Sequence, residues 1–252
     1  MNPEELNPEQ RQAVKTTDGP LIIVAGPGTG KTRTLVHKIA YLIRERQVAW
    51  DQILAVTFTK SAAREMKQRL KTLLTPEKTG GLWVETFHAT AMHILKEQGY
   101  PLGPGIEFKL IEDAEKPALL EGLMKKQDIP AFLKEIREQK QHLLLAENGL
   151  AKEYQNRLLA SRRLDFDDLL IYACRLFEKK PQVRDLYRQR FRYVLVDEFQ
   201  DTSFPQYQFM RQLVSENICV IGDPDQAIYG FSGRAFESFE QFKKDYPNHT
   251  VL

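Results

Sequence analysis

Cysteine is nearly absent from this chain: of 252 residues only Cys174 and Cys219 are cysteines, far apart and without a second Cys or His at metal-ligand spacing. That excludes a disulfide framework and a zinc site, and both read as buried thiols of a reducing compartment. Long apolar runs are missing too. No stretch approaches the 18 residues of a membrane span, and the start, Met1-Asn-Pro-Glu-Glu-Leu6, is acidic where a secretory leader is basic and then apolar. Nor is there an excess of one charge, since 36 Lys and Arg stand against 34 Asp and Glu for a net +2, which neither demands nor forbids a polyanionic partner. With 42% hydrophobic and 28% charged residues, disordered and fibrous classes are excluded as well. The expectation is a cytoplasmic protein with no membrane contact, long enough for one large domain or two small ones. Nothing in the sequence indicates an obligate protein partner.

Short apolar, β-rich runs occur at Leu21 to Ala25, Ile53 to Phe58, Leu82 to Thr86, Tyr193 to Asp197 and Ile218 to Gly222, most followed by a helical pattern. Such alternation predicts an α/β fold with a parallel sheet, and runs such as Leu21-Ile-Ile-Val24 suit strands covered on both faces. From about Leu95 to Tyr187 no convincing strand is found. Helical spacing runs instead over Asp113 to Lys126, Ala131 to Leu145, Leu150 to Arg162 and Phe166 to Lys179. An all-helical insertion over 95–187 is expected, entered through the Gly- and Pro-rich turn at 98–105 and dividing the sheet domain into 1–94 and 188–252.

Ala25, Gly26, Pro27, Gly28, Thr29, Gly30, Lys31 and Thr32 follow the first apolar strand and precede an amphipathic helix. Strand, glycine-rich loop and helix N-terminus in that order make a phosphate cradle, with Lys31 for the β and γ phosphates of ATP and the Thr32 hydroxyl for Mg²⁺. The loop is a Walker A sequence with Ala25 in place of the first Gly. The run Tyr193-Val-Leu-Val-Asp197-Glu198 ends in two carboxylates, which puts them at the carboxyl edge of the sheet. There Asp197 would hold Mg²⁺ through its water shell and Glu198 would orient and deprotonate the attacking water. A third run ends in Asp223-Pro-Asp225-Gln226; read from the residues alone, Gln226 is either a γ-phosphate sensor or a surface turn residue. The cluster Asp165, Asp167, Asp168 reads as a helix start, with Asp165 the cap and Phe166, Leu169 and Leu170 packing inward, rather than as a nuclease metal site.

Val196-Asp-Glu-Phe-Gln-Asp-Thr-Ser203, followed by Gly222-Asp-Pro-Asp-Gln-Ala-Ile-Tyr-Gly230, resembles the superfamily 1 helicases of the UvrD/Rep/PcrA type. Leu6-Asn-Pro-Glu-Gln10 is similar to their Q motif, Ala25 to Thr32 to motif I, Val56-Thr-Phe-Thr59 with Ala62-Ala63 and Glu65-Met66 to motif Ia, and Thr86-Phe-His88 to motif Ib. Leu164-Asp-Phe-Asp-Asp-Leu-Leu170 matches a further family segment. The resemblance implies a RecA-like P-loop subdomain, 1A, interrupted by a helical subdomain, 1B. It implies that Gln10 hydrogen-bonds adenine, that Arg33 lies near the base and that Gln226 touches the γ phosphate. It further implies single-stranded DNA, next to duplex, crossing Thr57, Phe58, Thr59, Thr86, His88, Tyr229 and Phe231, where an aromatic ring stacks any base.

The chain departs from the family pattern in three places. Lys60-Ser61 stands where Asn-Lys is usual, Phe231-Ser232 where Trp-Arg is usual, and subdomain 1B is short. His249-Thr-Val-Leu252 reads as the opening of another strand, before motif IV and the second RecA-like domain that the resemblance implies as partner. The expected function is the ATP-binding N-terminal part of an ATP-dependent DNA helicase. The alternatives are a module that binds ATP and single-stranded DNA with negligible turnover, because the second domain's arginines are missing, and the motor part of a helicase–nuclease.

Overall fold

The computed structural model describes residues 6–75, 81–226 and 237–252. The elements run, in chain order, α1 (Pro8–Lys15), β1 (Pro20–Val24), α2 (Lys31–Arg44), β2 (Ile53–Thr57), α3 (Lys60–Leu73), β3 (Trp83–Thr86), α4 (Phe87–Gln98), β4 (Lys109–Leu110), α5 (Ile129–Lys140), α6 (Gly149–Ala160), β5 (Arg163–Leu164), α7 (Phe166–Lys179), α8 (Pro181–Arg190), β6 (Tyr193–Val196), α9 (Phe204–Leu213), β7 (Asn217–Gly222), α10 (Ser238–Asp245) and β8 (Thr250–Val251). Backbone contacts divide the chain into two compact units: one comprises Met1–Phe87, Arg184–Ser203 and Met210–Leu252, the other His88–Val183 with Phe204–Phe209.

The first unit is built on a six-stranded sheet in the order β3-β2-β6-β7-β1-β8. Every pairing is parallel. Each residue of β2, β6 and β7 is buried, the pattern of strands covered on both faces. Leu35, Ile39 and Leu42 of α2 and Met66 and Leu70 of α3 pack with Ile23, Ile53, Ala55 and Leu195 of the sheet. β8, the strand opening expected at the end of the chain, pairs with β1 through Leu21 and Thr250. Trp83 at the sheet's edge carries the Arg190 guanidinium over its ring, 4.8 Å from the centroid. Burial pushes the Cys219 thiol up to about 11, which makes it inert.

The second unit is not all-helical: Lys109–Leu110 and Arg163–Leu164 form a parallel two-stranded ladder. Two residues are too few for an alternating pattern to register in sequence. Residues 113–120 form a 3-10 helix rather than the expected α-helix, because Pro117 lies inside it and removes a backbone donor. The turn at 98–105 lies within this unit, closed by hydrogen bonds from Tyr100 N to Leu95 O and from Gly103 N to Gly99 O.

Asp165 caps α7: it accepts from Asp168 N at 2.9 Å, while the Asp168 carboxylate takes Asp165 N at 3.0 Å. Lys140 is buried with this capping box, its Nζ 2.6 Å from Asp165 Oδ2 and 2.7 Å from Asp168 Oδ1. Gln155 Nε2 donates to both Asp168 oxygens at 3.1 Å. Burial pushes the Asp168 carboxyl up to about 6, the Asp165 charge adds to this, and Lys140 opposes it. For Lys140 the order is reversed: burial works to lower its pKa, but the two carboxylates raise it. The aspartate cluster is therefore a structural ion group with its own buried cation. Leu169 and Leu170 pack inward, but Phe166 is 53% exposed. It occupies the first turn of α7, where its ring lies stacked on His88 with centroids 3.8 Å apart and planes at 19°.

Two predictions follow from the second unit. Lys140→Met strands two buried carboxylates and is expected to cost about 3–5 kcal/mol near neutral pH. The loss should shrink toward about pH 5 as a carboxylate takes up a proton; urea melts at both pH values check this, and a cost below about 1 kcal/mol would overturn the assignment. His88 is held neutral by burial, with its pKa pushed down from 6.5 to about 4. Its contribution is fully present above pH 6.5 and falls as the unfolded chain takes the proton first, by about 2 kcal/mol at about pH 5. His88→Gln should remove that part of the acid-side loss in the same melts, and an unaltered slope would refute it.

Candidate functional site

Ala25 leaves β1 with its N–H bonded to Gly222 O at 3.0 Å, so the glycine-rich loop starts level with the end of β7. Gly28 and Gly30 have φ of +72° and +87°, which an L side chain adopts only under strain. Gly30 is the left-handed N-cap of α2, and no side chain caps that helix. The first-turn N–H groups of Lys31, Thr32 and Arg33 thus have no intrahelical acceptor, and the helix dipole favours an anion there. Thr29 Oγ1 donates to Gly26 O at 2.7 Å across the loop. Pro27 is exposed between them.

Gln10 lies on α1, whose Asn7 and Gln10 form a capping box. Its Nε2 donates to Thr29 O at 2.8 Å, and Arg33 Nη2 donates to its Oε1 at 3.4 Å. The structure thus joins Gln10, Arg33 and the loop into one rim. α1 is fixed at its other end by buried Lys38 of α2, which donates to Ala13 O at 2.9 Å and to Thr16 O.

Because β7 lies between β1 and β6, the carboxylates after β6 face the loop from two strands away, about 10 Å. Lys31 Nζ spans that gap to Glu198 Oε2 at 2.9 Å, and Thr32 Oγ1 donates to Asp197 Oδ2 at 3.1 Å. Burial pushes the Asp197 carboxyl up to about 6, with the Glu198 charge adding to it and Thr32, the Glu198 N–H and Lys31 opposing. A buried carboxylate of that kind, beside a hydroxyl, fits a divalent cation, which would supply the missing charge. Glu198 turns out of the strand with φ of +49°, a rare conformation for a side-chain-bearing residue.

Gln200, quoted above only as part of the family string, occupies the centre of this edge. Its Nε2 donates to Glu198 Oε2 at 2.8 Å and its Oε1 accepts from Asp223 N at 3.0 Å. Asp223 Oδ2 in turn accepts from Gln226 Nε2 at 2.6 Å. A Cβ at Gly222 would lie 2.3 Å from Gln200 Oε1, so this strand end is left bare to admit the amide. The sequence signal was the Gly before Asp223, legible only once β6 and β7 are known to be neighbours.

An open pocket of about 340 Å³ at this edge is lined by Thr57, Phe58, Thr59, Asp197, Glu198, Gln200 and Gln226 among others. Phe58 is 50% exposed there. Thr57 is buried, and its hydroxyl donates to Thr59 O at 3.0 Å. Thr59 caps α3 through Ala62 N. Thr86 is buried on β3, paired with Thr57 in register, and Phe87 is core. His88 belongs to the second unit, stacked on Phe166; that exposed ring was read from sequence as core because apolar residues in a helix's first turn usually pack inward. Tyr229 and Phe231 lie outside the described residues.

A sequence model of the UvrD/REP helicase N-terminal domain matches residues 6–247. The chain is 38% identical to the ATP-dependent DNA helicase PcrA of Bacillus subtilis (strain 168), with 98% of this chain and 36% of that protein covered. It is 37% identical to the protein of the same name from Staphylococcus aureus (strain Mu50), covering 98% and 37% respectively. For that of Staphylococcus epidermidis the identity is 36%, covering 99% and 37%. The chain therefore spans about a third of the length of the relatives it matches. With the phosphate loop, the paired carboxylates and the parallel α/β sheet on which they meet, the match shows that the chain belongs to the UvrD/REP helicase N-terminal domain family.

Proposed function

We propose that this chain is the ATP- and DNA-binding N-terminal part of an ATP-dependent DNA helicase, its first unit serving as RecA-like subdomain 1A and its second as subdomain 1B. The observation that carries the reading is Glu198, which contacts Lys31 of the phosphate loop and, with Asp197 and Gln226, also lines the Phe58 pocket. One carboxylate is thereby common to a nucleotide site and a candidate single-strand site, as a motor coupling the two requires.

Lys31 exchanges Glu198 for phosphate oxygens when ATP enters, since a charge-assisted bond to a triphosphate replaces the internal pair. Glu198, released on that side and still held by Gln200, takes the proton of the attacking water. Gln226, tied to Asp223, reports the terminal phosphate to the turn that follows β7. Thr32 and Asp197 would hold Mg²⁺, which offsets phosphate charge when bound. Gln10 and Arg33 form the rim that receives the base. Phe58, with the Thr57–Thr59 backbone, offers a stacking surface to single-stranded DNA, and the His88–Phe166 pair a second, on subdomain 1B.

The 252-residue chain is expected to bind a fluorescent ATP analogue in a Mg²⁺-dependent way. Lys31→Ala should weaken that binding at least about tenfold, or 1.4 kcal/mol. Glu198→Gln, which frees Lys31 from its internal partner, should bind as tightly as the parent or tighter, and should abolish whatever phosphate release single-stranded DNA stimulates. Wild-type affinity in Lys31→Ala would refute the nucleotide site. Undiminished turnover in Glu198→Gln would refute the role of that carboxylate.

A further inference from the structure

We infer that the outer flank of α3 is a track for the phosphodiester backbone of a nucleic-acid strand, continuing away from the Phe58 pocket. The inference rests on the DNA-binding part of the function proposed above and extends it along α3 to Lys67 and Lys71, beyond the motifs.

Lys60, Arg64, Lys67 and Lys71 are all exposed on α3 and fall at i, i+4, i+7 and i+11. At 3.6 residues per turn these positions keep within an arc of about 60° and run for about 16 Å along the helix. The helix buries Ala63, Met66 and Leu70 on a different side. Glu65, its single carboxylate, lies away from the stripe and is held by Arg69 at 2.6 Å. Among the described residues none of the four cations has a carboxylate within ion-pairing distance; Arg64 makes one contact, from Nε to Lys60 O at 3.4 Å.

Several cations on other helices are paired. Lys116, Lys134, Arg157 and Lys243 each have a carboxylate three or four residues away on their own helix. In a chain of net charge +2, four exposed cations with no carboxylate partner among the described residues thus fall on one line.

Two features select the partner. The stripe begins at Lys60, beside Thr59 and the half-exposed Phe58, so a strand stacked on Phe58 meets the first cation as it leaves the pocket. Its flanks are polar, with Ser61, Gln68 and Thr72 exposed and no apolar anchor among them. Protein interfaces centre on buried aromatic or aliphatic anchors, whereas a phosphate backbone needs only charge at regular intervals. A DNA strand carries a charge about every 3.4 Å of duplex axis, so 16 Å of helix faces several phosphates.

The test uses the full chain, a labelled oligothymidine and fluorescence anisotropy between about 50 and 200 mM KCl. Lys67→Ala/Lys71→Ala, remote from the pocket and solvent-exposed, should lower the slope of log K against log salt by about 1.4, near 0.7 per cation. Lys67→Arg/Lys71→Arg should restore it, and circular dichroism should show both variants folded as the parent. Parental slope and affinity in the alanine variant would overturn the track while leaving the Phe58 site intact. Failure of the parent itself to bind would instead remove the DNA part of the proposed function, and the track with it. Binding of labelled polyglutamate that Lys67→Ala/Lys71→Ala abolishes, with oligothymidine binding and its salt slope left at the parental values, would reassign the stripe to an acidic protein and overturn the inference.

Discussion

A parallel sheet buried on both faces can carry polar chemistry only where its strands end. In β2, β6 and β7 every residue is buried, so a charge within them would be isolated from water at a cost of several kcal/mol. Asp197, Glu198, Asp223 and Gln226 come just after the last apolar residue of their strands, and Thr57 and Phe58 stand at the same edge of β2. The polar edge and the thickness of the core are one constraint, and the candidate side chains that follow β2, β6 and β7 inherit their position from it.

At that edge the free chain satisfies its own charges. Lys31 uses Glu198, Asp197 uses Thr32, and Gln200 fills the gap between two strand ends by accepting from one and donating to the other. Asp197 remains undercompensated, since burial and a neighbouring carboxylate hold its pKa near 6. A bound polyanion with a cation, as proposed above, would meet a lysine and a helix N-terminus already at this edge.

The second unit solves a different problem. Its core around Ile111, Leu120, Ile136 and Leu158 is small, and a buried ion group fixes α7 to α5 and α6 beside it. Three aspartates within four residues read as a capped helix start in the linear sequence; Lys140, 25 residues earlier, adds the internal counterion of that capping box. Pairing across such a separation leaves no local periodicity, and no reading of spacing recovers it.

The sequence by itself determined the parallel α/β architecture, the phosphate loop and the paired carboxylates. Fully apolar runs, glycines at fixed offsets and a helix start are local signals, and the chain obeys them locally. The helix at Phe166–Lys179 was legible for the same reason, as a cap followed by apolar spacing. The two-residue ladder and the exposure of Phe166 were not, because each depends on what packs nearby rather than on periodicity. Only the tertiary structure decided that β7 separates β1 from β6, and with it that Lys31 meets Glu198, that Gly222 is bare for Gln200 and that Glu198 lines the pocket beside Phe58. Strand order is set by which faces bury best together, a long-range outcome that residues distant in sequence reach only once folded.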